Sequence, residues 1–327
     1  MDTKMLSLSL MVVAMLVATG IATAQEITIN KLQVKYKYDY AVIEEYRIGM
    51  EAIISYVEDL GRNSSALMNY KNQFTALATE LKAAADDNDA IAYNATIEEM
   101  KTVVANFRQE ARNQVGNNTE EARTRIEAAL EANEDYLYGL VTEAREFHKE
   151  RNTQIFDYYD VKAGEVINKL EAQGYNMSEA KAKLSEIEGK RESFIDVMNT
   201  TIQACSNKWV GECKETPEAE NYFELRDEII KDFKELRDLI LKTVLDIVIP
   251  KAEDVLSRAE DVLSKAETKG IDVTVEKAKL DAIKSLVNDA KTKYEQGAYK
   301  EAIDLLKSAR DSFRELKEEV KARRGKT

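Results

Sequence analysis

A short pattern recurs three times along the chain, each time between two stretches whose apolar residues have helical spacing. It reads Gly-x-Asn/Asp-x-Ser/Thr and begins at Gly61, Gly174 and Gly270. A glycine just past a helix adopts the left-handed backbone conformation that ends the helix, and the Ser or Thr that closes the pattern can cap the free N–H groups of the next helix. The pattern therefore predicts corners between paired helices.

The second and third copies of this corner are followed by a further match. Lys181–Leu184 and Lys277–Leu280 both read Lys-Ala-Lys-Leu and both begin seven residues after the glycine, whereas the first copy is more diverged. Internal similarity of this kind indicates related structural units. We divide the chain into residues 1–24, a helical unit at 25–116, a second unit at 117–213 that ends in a loop between two cysteines, and a third unit at 214–327.

The stretches between the corners are long and contain few residues that end a helix. The chain has 12 Gly and 2 Pro among 327 residues. Thr119–Ala172 contains no Pro, and its apolar residues recur mainly every three, four or seven positions, so we expect one helix over the whole stretch. A second long helix begins at Pro217 and is expected to kink at Pro250.

Beyond this proline the chain repeats seven residues in tandem, as Ala252–Arg258 and Ala259–Lys265. A seven-residue repeat of Ala, Val and Leu is typical of helices that pack alongside one another at a shallow angle. Few glycines and prolines, together with 44% hydrophobic and 33% charged residues, also disfavour a sheet protein. The predicted fold is all-α, an elongated bundle of long antiparallel helices built from three diverged hairpin units.

The first residues have the pattern of an export signal. No charged side chain occurs from Met5 to Ala24, after a short head that contains Asp2 and Lys4. The small residues Ala22 and Ala24 suit a signal peptidase, so we expect cleavage after Ala24 and an extracellular or cell-surface protein. The alternative is an uncleaved anchor, because about 20 apolar residues also span a bilayer. The membrane would then be contacted through this segment alone.

Two cysteines agree with export. Cys205 and Cys213 enclose seven residues, and in an oxidising compartment such a close pair is usually a disulfide that closes a small loop. The alternative is a pair of free buried thiols. Trp209 lies inside this loop, where it either covers the end of the bundle or is exposed as a contact for a partner.

Five Asn-x-Ser/Thr sequons make glycosylation a further expectation. Three of them fall where turns between helices are predicted, which are exposed places that a glycan can occupy. The alternative is that polar turns are simply rich in Asn, Ser and Thr. The candidate asparagines are Asn63, Asn94, Asn117, Asn176 and Asn199.

Two resemblances follow from these motifs. Lys293–Ile303 together with Ala309 resembles one helix-turn-helix of the tetratricopeptide family over about 34 residues, which implies hairpin packing without a peptide-binding array. With the signal segment, the corners and the sequons, the chain also resembles uncharacterised secreted helical proteins of archaea. That resemblance implies an exported all-helical surface protein and carries no activity.

The residue inventory disfavours catalysis, metal binding and nucleic-acid binding. With 47 Lys and Arg against 60 Asp and Glu, the formal net charge is −13, which argues against a nucleic-acid partner. His148 is the single histidine, too few for a zinc or di-iron site, and we interpret it as a surface residue. Asp86–Asp89 lacks the Gly and the distant Glu of an EF-hand and is interpreted as a helix-capping turn. We therefore expect no catalytic residue, metal or cofactor.

The segment Leu32–Tyr40 alternates with the period of a β-strand. A strand over residues 26–40 would pair with a neighbouring subunit or receptor, with Tyr36, Tyr38 and Tyr40 as candidate contacts. The alternative is that Tyr36, Tyr40 and Ile43 form one face of the first helix.

These observations favour an exported, glycosylated surface protein with a structural spacer, adhesion or interaction role, and not an enzyme. Its expected partner is a cell-envelope component or another protein, with self-association as a further option. One alternative function is an extracellular small-ligand-binding or sensory bundle that holds a ligand between helices. A second alternative is a filament subunit assembled through the N-terminal strand.

Overall fold

The structure, a computed structural model, describes residues 27–324, and the side chains of residues 27–321. The predicted signal segment at 1–24 and its cleavage point lie outside the described residues. Within the described range the chain is helical and has no β-strand, which confirms the predicted all-α class. No helix in this range is apolar over a stretch long enough to cross a membrane.

The helices follow one another with short connections. Their bounds are α1 Lys31–Asp59, α2 Ser65–Asp86, α3 Ala90–Val115, α4 Thr119–Ala132, α5 Glu134–Ala172, α6 Ser178–Gly189, α7 Arg191–Ala204, α8 Val210–Cys213, α9 Pro217–Glu267, α10 Thr274–Glu295 and α11 Tyr299–Arg324.

The described residues form two compact units, each made of separate stretches of sequence. Unit A comprises those within 25–158 and 190–227, and unit B those within 159–189 and 228–327. The three consecutive units that the internal similarity indicates are a division by sequence and stay a prediction.

Helices α1 to α4 build the main hydrophobic core of unit A. Their largest fully buried side chains include Tyr56, Phe74 and Tyr93. On α2 and α3 the core residues stand seven apart, a spacing that keeps one face of each helix against its neighbour. These two rows are Leu67, Phe74 and Leu81 on α2, and Tyr93, Met100 and Phe107 on α3.

Helices α10 and α11 of unit B pack against each other through a turn at Gly297, whose φ is +74°. This is the segment that resembles a tetratricopeptide hairpin. Its buried face consists of small and branched apolar side chains, as hairpin packing requires. They are Leu280, Ile283, Val287, Ala290, Ala302, Ile303, Leu306 and Ala309.

The three predicted corners end their helices as expected. Gly61, Gly174 and Gly270 all have positive φ, at +68°, +88° and +78°. At each corner the glycine N–H and the next residue's N–H donate to carbonyls three and five positions back, which is the Schellman arrangement.

The residue that caps the following helix is the Asn or Asp of the pattern, so the predicted role of its Ser or Thr was wrong. The Oδ1 atoms of Asn63, Asn176 and Asp272 accept from the backbone N–H two residues on, at 2.9, 3.2 and 3.1 Å. Asn and Asp side chains have the length that closes such a turn on their own backbone. The acidic turn before α3 is confirmed as a cap, since Asp89 Oδ1 accepts from two backbone N–H groups at 3.0 Å.

The predicted single helix over Thr119–Ala172 is interrupted at Asn133, between α4 and α5. The Asn133 side chain donates to the carbonyl of Ala129 at 2.8 Å, and its backbone N–H donates to Leu130 at 3.0 Å. A side chain that competes for helical carbonyls in this way favours a turn. By contrast, α9 runs continuously through Pro250, and the kink expected there stays a prediction.

The strand interpretation of residues 26–40 was wrong for the part that the structure describes, because α1 begins at Lys31. Asn30 and Gln33 form a capping box, in which each side chain accepts from the other's backbone N–H at 2.9 Å. Just before it, Gln154 on α5 accepts from the Ile29 N–H at 3.3 Å. A strong helix start therefore overrides the two-residue alternation.

Candidate ligand site beside the disulfide loop

The two cysteines are joined. Cys205 and Cys213 form a disulfide with a Cα–Cα distance of 5.3 Å, which confirms the predicted pair and excludes free thiols. The bond closes a loop that contains Trp209 and the short helix α8. The end of α7 is thereby fixed close to the start of α9.

Arg145 on α5 holds this loop in place. Its guanidinium is buried and donates to the backbone carbonyls of Cys205 and Lys208, at 2.6 and 2.7 Å. Thr142, one turn earlier, donates to the carbonyl of Ser206 at 3.3 Å. Burial lowers the pKa of Arg145, but an arginine remains charged in a protein. The loop conformation thus depends on one buried cation.

Trp209 is half-buried, so its exposure is intermediate between the two predicted alternatives, a side chain that covers the end of the bundle and an exposed partner contact. Its ring packs against Tyr138 with 6.1 Å between the centroids. Its backbone N–H donates to the Glu212 carboxylate at 2.8 Å. Its role as a partner contact stays a prediction.

A cavity of about 220 Å³ lies next to the loop, within unit A. It is walled by α1, α5, α7, α9 and the disulfide loop. Most of its wall is apolar, which suits the body of a small molecule. The apolar wall includes Met198, Ile202, Val210, Ala219 and Phe223.

Tyr38 and His148 line this cavity and face each other edge to face, with ring centroids 6.2 Å apart. Among the described residues, neither the Tyr38 hydroxyl nor the His148 imidazole has a hydrogen-bond partner. His148 is partly buried, so its interpretation as a surface residue was wrong. Successive residues of α1 point to different sides of the helix. Of the three candidate tyrosines, only Tyr38 lines the cavity. Tyr36 and Tyr40 pack against each other with 5.8 Å between ring centroids.

The pKa shifts of these two residues follow from their burial. Desolvation lowers the pKa of His148, and the positive charges of Arg151 and Arg226 lower it further. Burial raises the pKa of Tyr38 to about 12, against the opposing effect of Arg145. At neutral pH the cavity therefore contains a protonated phenol, which can donate, and a neutral imidazole, which can donate and accept.

The charged side chains that line the cavity are all basic: Arg145, Lys149 and Lys214. Asn152 completes the polar part and donates to the Tyr222 hydroxyl at 2.9 Å. The lining contains no carboxylate that could orient the imidazole, as a catalytic histidine needs. Within the described part of the chain, no group of three His, Cys, Asp or Glu side chains is placed to hold a metal ion.

The sequence contains one signal for this site, a row of polar residues with helical spacing on α5, that none of the motifs described above includes. Arg145, His148, Lys149 and Asn152 stand at positions i, i+3, i+4 and i+7, which places them on one face of α5. A polar face within a helix that must also pack its neighbours indicates a lined cavity or a bound partner. The partners of that face, in α1, α7 and α9, are set by tertiary structure.

A second cavity of about 380 Å³ lies elsewhere in unit A, between α1, α3 and α4. Buried residues of the main core line it, among them Met50, Ile53 and Phe107. Arg123 lies on its rim and pairs with Glu127 at 2.8 Å.

All five sequon asparagines are exposed. Asn63, Asn117 and Asn176 lie in turns between helices, as predicted, while Asn94 and Asn199 lie within α3 and α7. Asn199 Oδ1 accepts from Lys149 Nζ at 2.9 Å. Their modification stays a prediction.

Comparison of the chain with protein-family models, with curated proteins and with solved structures finds no match.

Proposed function

We propose that the chain is an exported surface protein that binds a small ligand in the cavity beside its disulfide loop. The observation that carries this proposal is the pair of polar groups, on Tyr38 and His148, that have no partner among the described residues and line a mostly apolar cavity. Both side chains are partly buried and lack a partner in the described chain, so each hydrogen bond that a ligand makes to them should contribute about 0.5–1.5 kcal/mol. Such a site has the character of a pre-formed binding pocket.

Export is part of the proposal and is supported by three features. The disulfide suits an oxidising compartment. The exposed sequons leave room for glycans. The apolar segment before Gln25 has the pattern of an export signal.

The binding role is tested with the full chain, its disulfide intact, and three compact aromatic probes: benzoate, benzamide and benzamidine. The chain has one His and one Trp, so the His148 ring proton and Trp209 fluorescence each report from a single place. We expect at least one probe to shift the His148 resonance saturably. Val210→Phe, which narrows the cavity, should weaken that probe about tenfold or more.

Ile91→Phe is the matched control, because Ile91 is 85% exposed on α3 and lines neither cavity. Its binding should equal that of the unaltered chain. The proposal fails if none of the three probes moves the His148 signal, or if Val210→Phe and Ile91→Phe behave alike.

Export is tested by intact mass and N-terminal sequencing of protein from the native host, separated into membrane, envelope and medium. A start at Gln25 with added glycan mass supports export with cleavage. An intact Met1 in the membrane fraction supports an anchored surface protein. Protein recovered unmodified from the cytoplasm would contradict the proposal.

A spacer or adhesion role is a second candidate, favoured by α9, which runs uninterrupted for 51 residues. At 1.5 Å per residue such a helix is about 77 Å long. If this role holds, host cells that lack the chain should lose adhesion, and a chain with Val210→Phe should restore it. Restoration that needs the open cavity would instead support the ligand-binding function.

A further inference from the structure

The shape of the disulfide-loop cavity restricts the ligand to a compact body with a flat apolar part. Four rings surround it, those of Tyr38, His148, Tyr222 and Phe223. Tyr222 and Phe223 lie with centroids 5.2 Å apart. Rings in this arrangement favour another ring, which stacks on or meets the edges of its neighbours.

The charge of the cavity is the reverse of that of the chain. The chain has a formal net charge of −13, yet Arg145, Lys149 and Lys214 line the cavity and no Asp or Glu does. Lys149 is paired with Glu146 and Arg226 with Asp227. Lys214 is exposed and has no ion pair among the described residues, so its positive charge faces the cavity mouth and solvent.

Hydrogen-bond donors without partners add to this charge. Within the cavity these donors belong to Tyr38 and His148. Arg151 does not line the cavity, but its buried Nε also has no acceptor within the described chain. Arg151 is close enough to His148 to affect its titration. Donors and cations in excess, with no competing carboxylate, are what an anionic oxygen ligand requires.

We propose that this cavity selects a compact carboxylate with an aromatic body, whose ring packs among the four rings and whose carboxylate accepts from Tyr38 and His148 in the field of Lys214. This inference rests on the proposed function, because it concerns the ligand of the same cavity. It extends that function by naming the ligand class and the charge that selects it.

The test compares the affinities of benzoate, benzamide and benzamidine, which have nearly the same shape and carry negative, zero and positive charge. With the full chain at pH 7, benzoate should bind about tenfold more tightly than benzamide, since hydrogen bonds to a charged group are the stronger ones. Benzamidine should bind most weakly. Lys214→Gln should weaken benzoate severalfold and leave benzamide unchanged.

Arg123→Gln is the matched control, because it removes one positive charge at the other cavity of the same unit. It should leave benzoate affinity unchanged. If Arg123→Gln and Lys214→Gln weaken benzoate equally, the effect is one of net charge and the inference is overturned. It is also overturned if benzoate and benzamide bind equally well, although the ligand-binding function would then stand. Absence of binding by all three probes would overturn both.

Discussion

Two regions of unit A, the α1–α4 core and the disulfide-loop cavity, differ in how polar aromatic groups are satisfied. In the core, two buried tyrosines have carboxylate partners: Tyr93 donates to Asp39 at 2.6 Å and Tyr56 to Glu121 at 3.0 Å. Beside the disulfide loop, Tyr38 and His148 have none among the described residues. The first region has its polar groups paired, whereas the second leaves two groups free for the ligand that we propose.

The largest expected difference concerns phenylalanine in the two regions. Phe74 is 2% exposed in the α1–α4 core, and Phe74→Ala should lower the free energy of unfolding by about 3–5 kcal/mol. Phe223 is only partly buried and borders an existing cavity, so Phe223→Ala should cost less than about 2 kcal/mol. Urea unfolding followed by Trp209 fluorescence measures both. Equal costs would remove the distinction between a packed and an open region.

The disulfide comes next in size. Replacing both Cys205 and Cys213 by Ser should lower the free energy of unfolding by about 2.5 kcal/mol, from the chain entropy of the small loop that the bond closes. Because the loop forms one wall of the ligand cavity, probe binding should weaken as well. The main core should keep its far-UV circular dichroism. Unchanged probe affinity in the double variant would show that the loop does not shape the site.

The tyrosine hydroxyls give a matched pair of smaller effects. Tyr93→Phe leaves the Asp39 carboxylate without its donor and should cost about 1–2 kcal/mol. Tyr38→Phe removes a hydroxyl without a partner, so the unfolding free energy of the empty protein should stay within about 0.5 kcal/mol. Benzoate affinity should fall in Tyr38→Phe and not in Tyr93→Phe. The reverse pattern would contradict the assignment of the two regions.

The smallest expected effect is a pH dependence of the unfolding free energy that arises from His148 in the disulfide-loop cavity. The folded protein lowers the pKa of His148 below its unfolded value, so the unfolded chain takes up the proton first as the pH falls. Unfolding free energy should therefore decrease as the pH drops below about 6.5, by at most about 1.4 kcal/mol at pH 5.5, the limit for an imidazole that stays neutral in the folded protein. The surrounding charged and titratable groups are Tyr38, Arg145, Lys149, Arg151, Lys214, Tyr222 and Arg226.

His148→Gln isolates this effect, because the chain has no other imidazole. Unfolding by urea at pH 7.5 and 5.5 should show the decrease in the unaltered chain and not in the variant. Benzoate should change the sign of the dependence, since a bound anion favours the protonated imidazole. A decrease of equal size in both chains would assign it to carboxylates elsewhere.

The helical class and the corners could be predicted from the sequence, because both depend on neighbouring residues. The spacing of apolar residues indicates a helix, and a glycine that adopts positive φ ends it. The break at Asn133 was missed because one asparagine within a helical pattern gives a weak signal. The capping role of Asn63 was misassigned to Ser65, two residues on, since both side chains can cap. The choice between them depends on turn geometry.

The candidate site was less predictable. Its helical face on α5 can be found in the sequence, but the cavity exists only where that face meets Tyr38, Phe223 and the disulfide loop. Those contacts join residues up to 185 positions apart, from Tyr38 to Phe223. The pattern of residues within one helix does not show which distant residues it will contact. For this reason His148 was interpreted as a surface residue.

The capped corners have a consequence for how this protein responds to deglycosylation. At Asn63 and Asn176 the Oδ1 atom holds the turn, while the atom that would carry a glycan is Nδ2 of the same amide. An amidase that releases a glycan leaves an aspartate, and the third corner already has one at Asp272, which accepts the same bond. A new negative charge at the start of a helix is favourable. If these two corners carry glycans, as we propose, enzymatic removal of the sugars should therefore leave the turns closed.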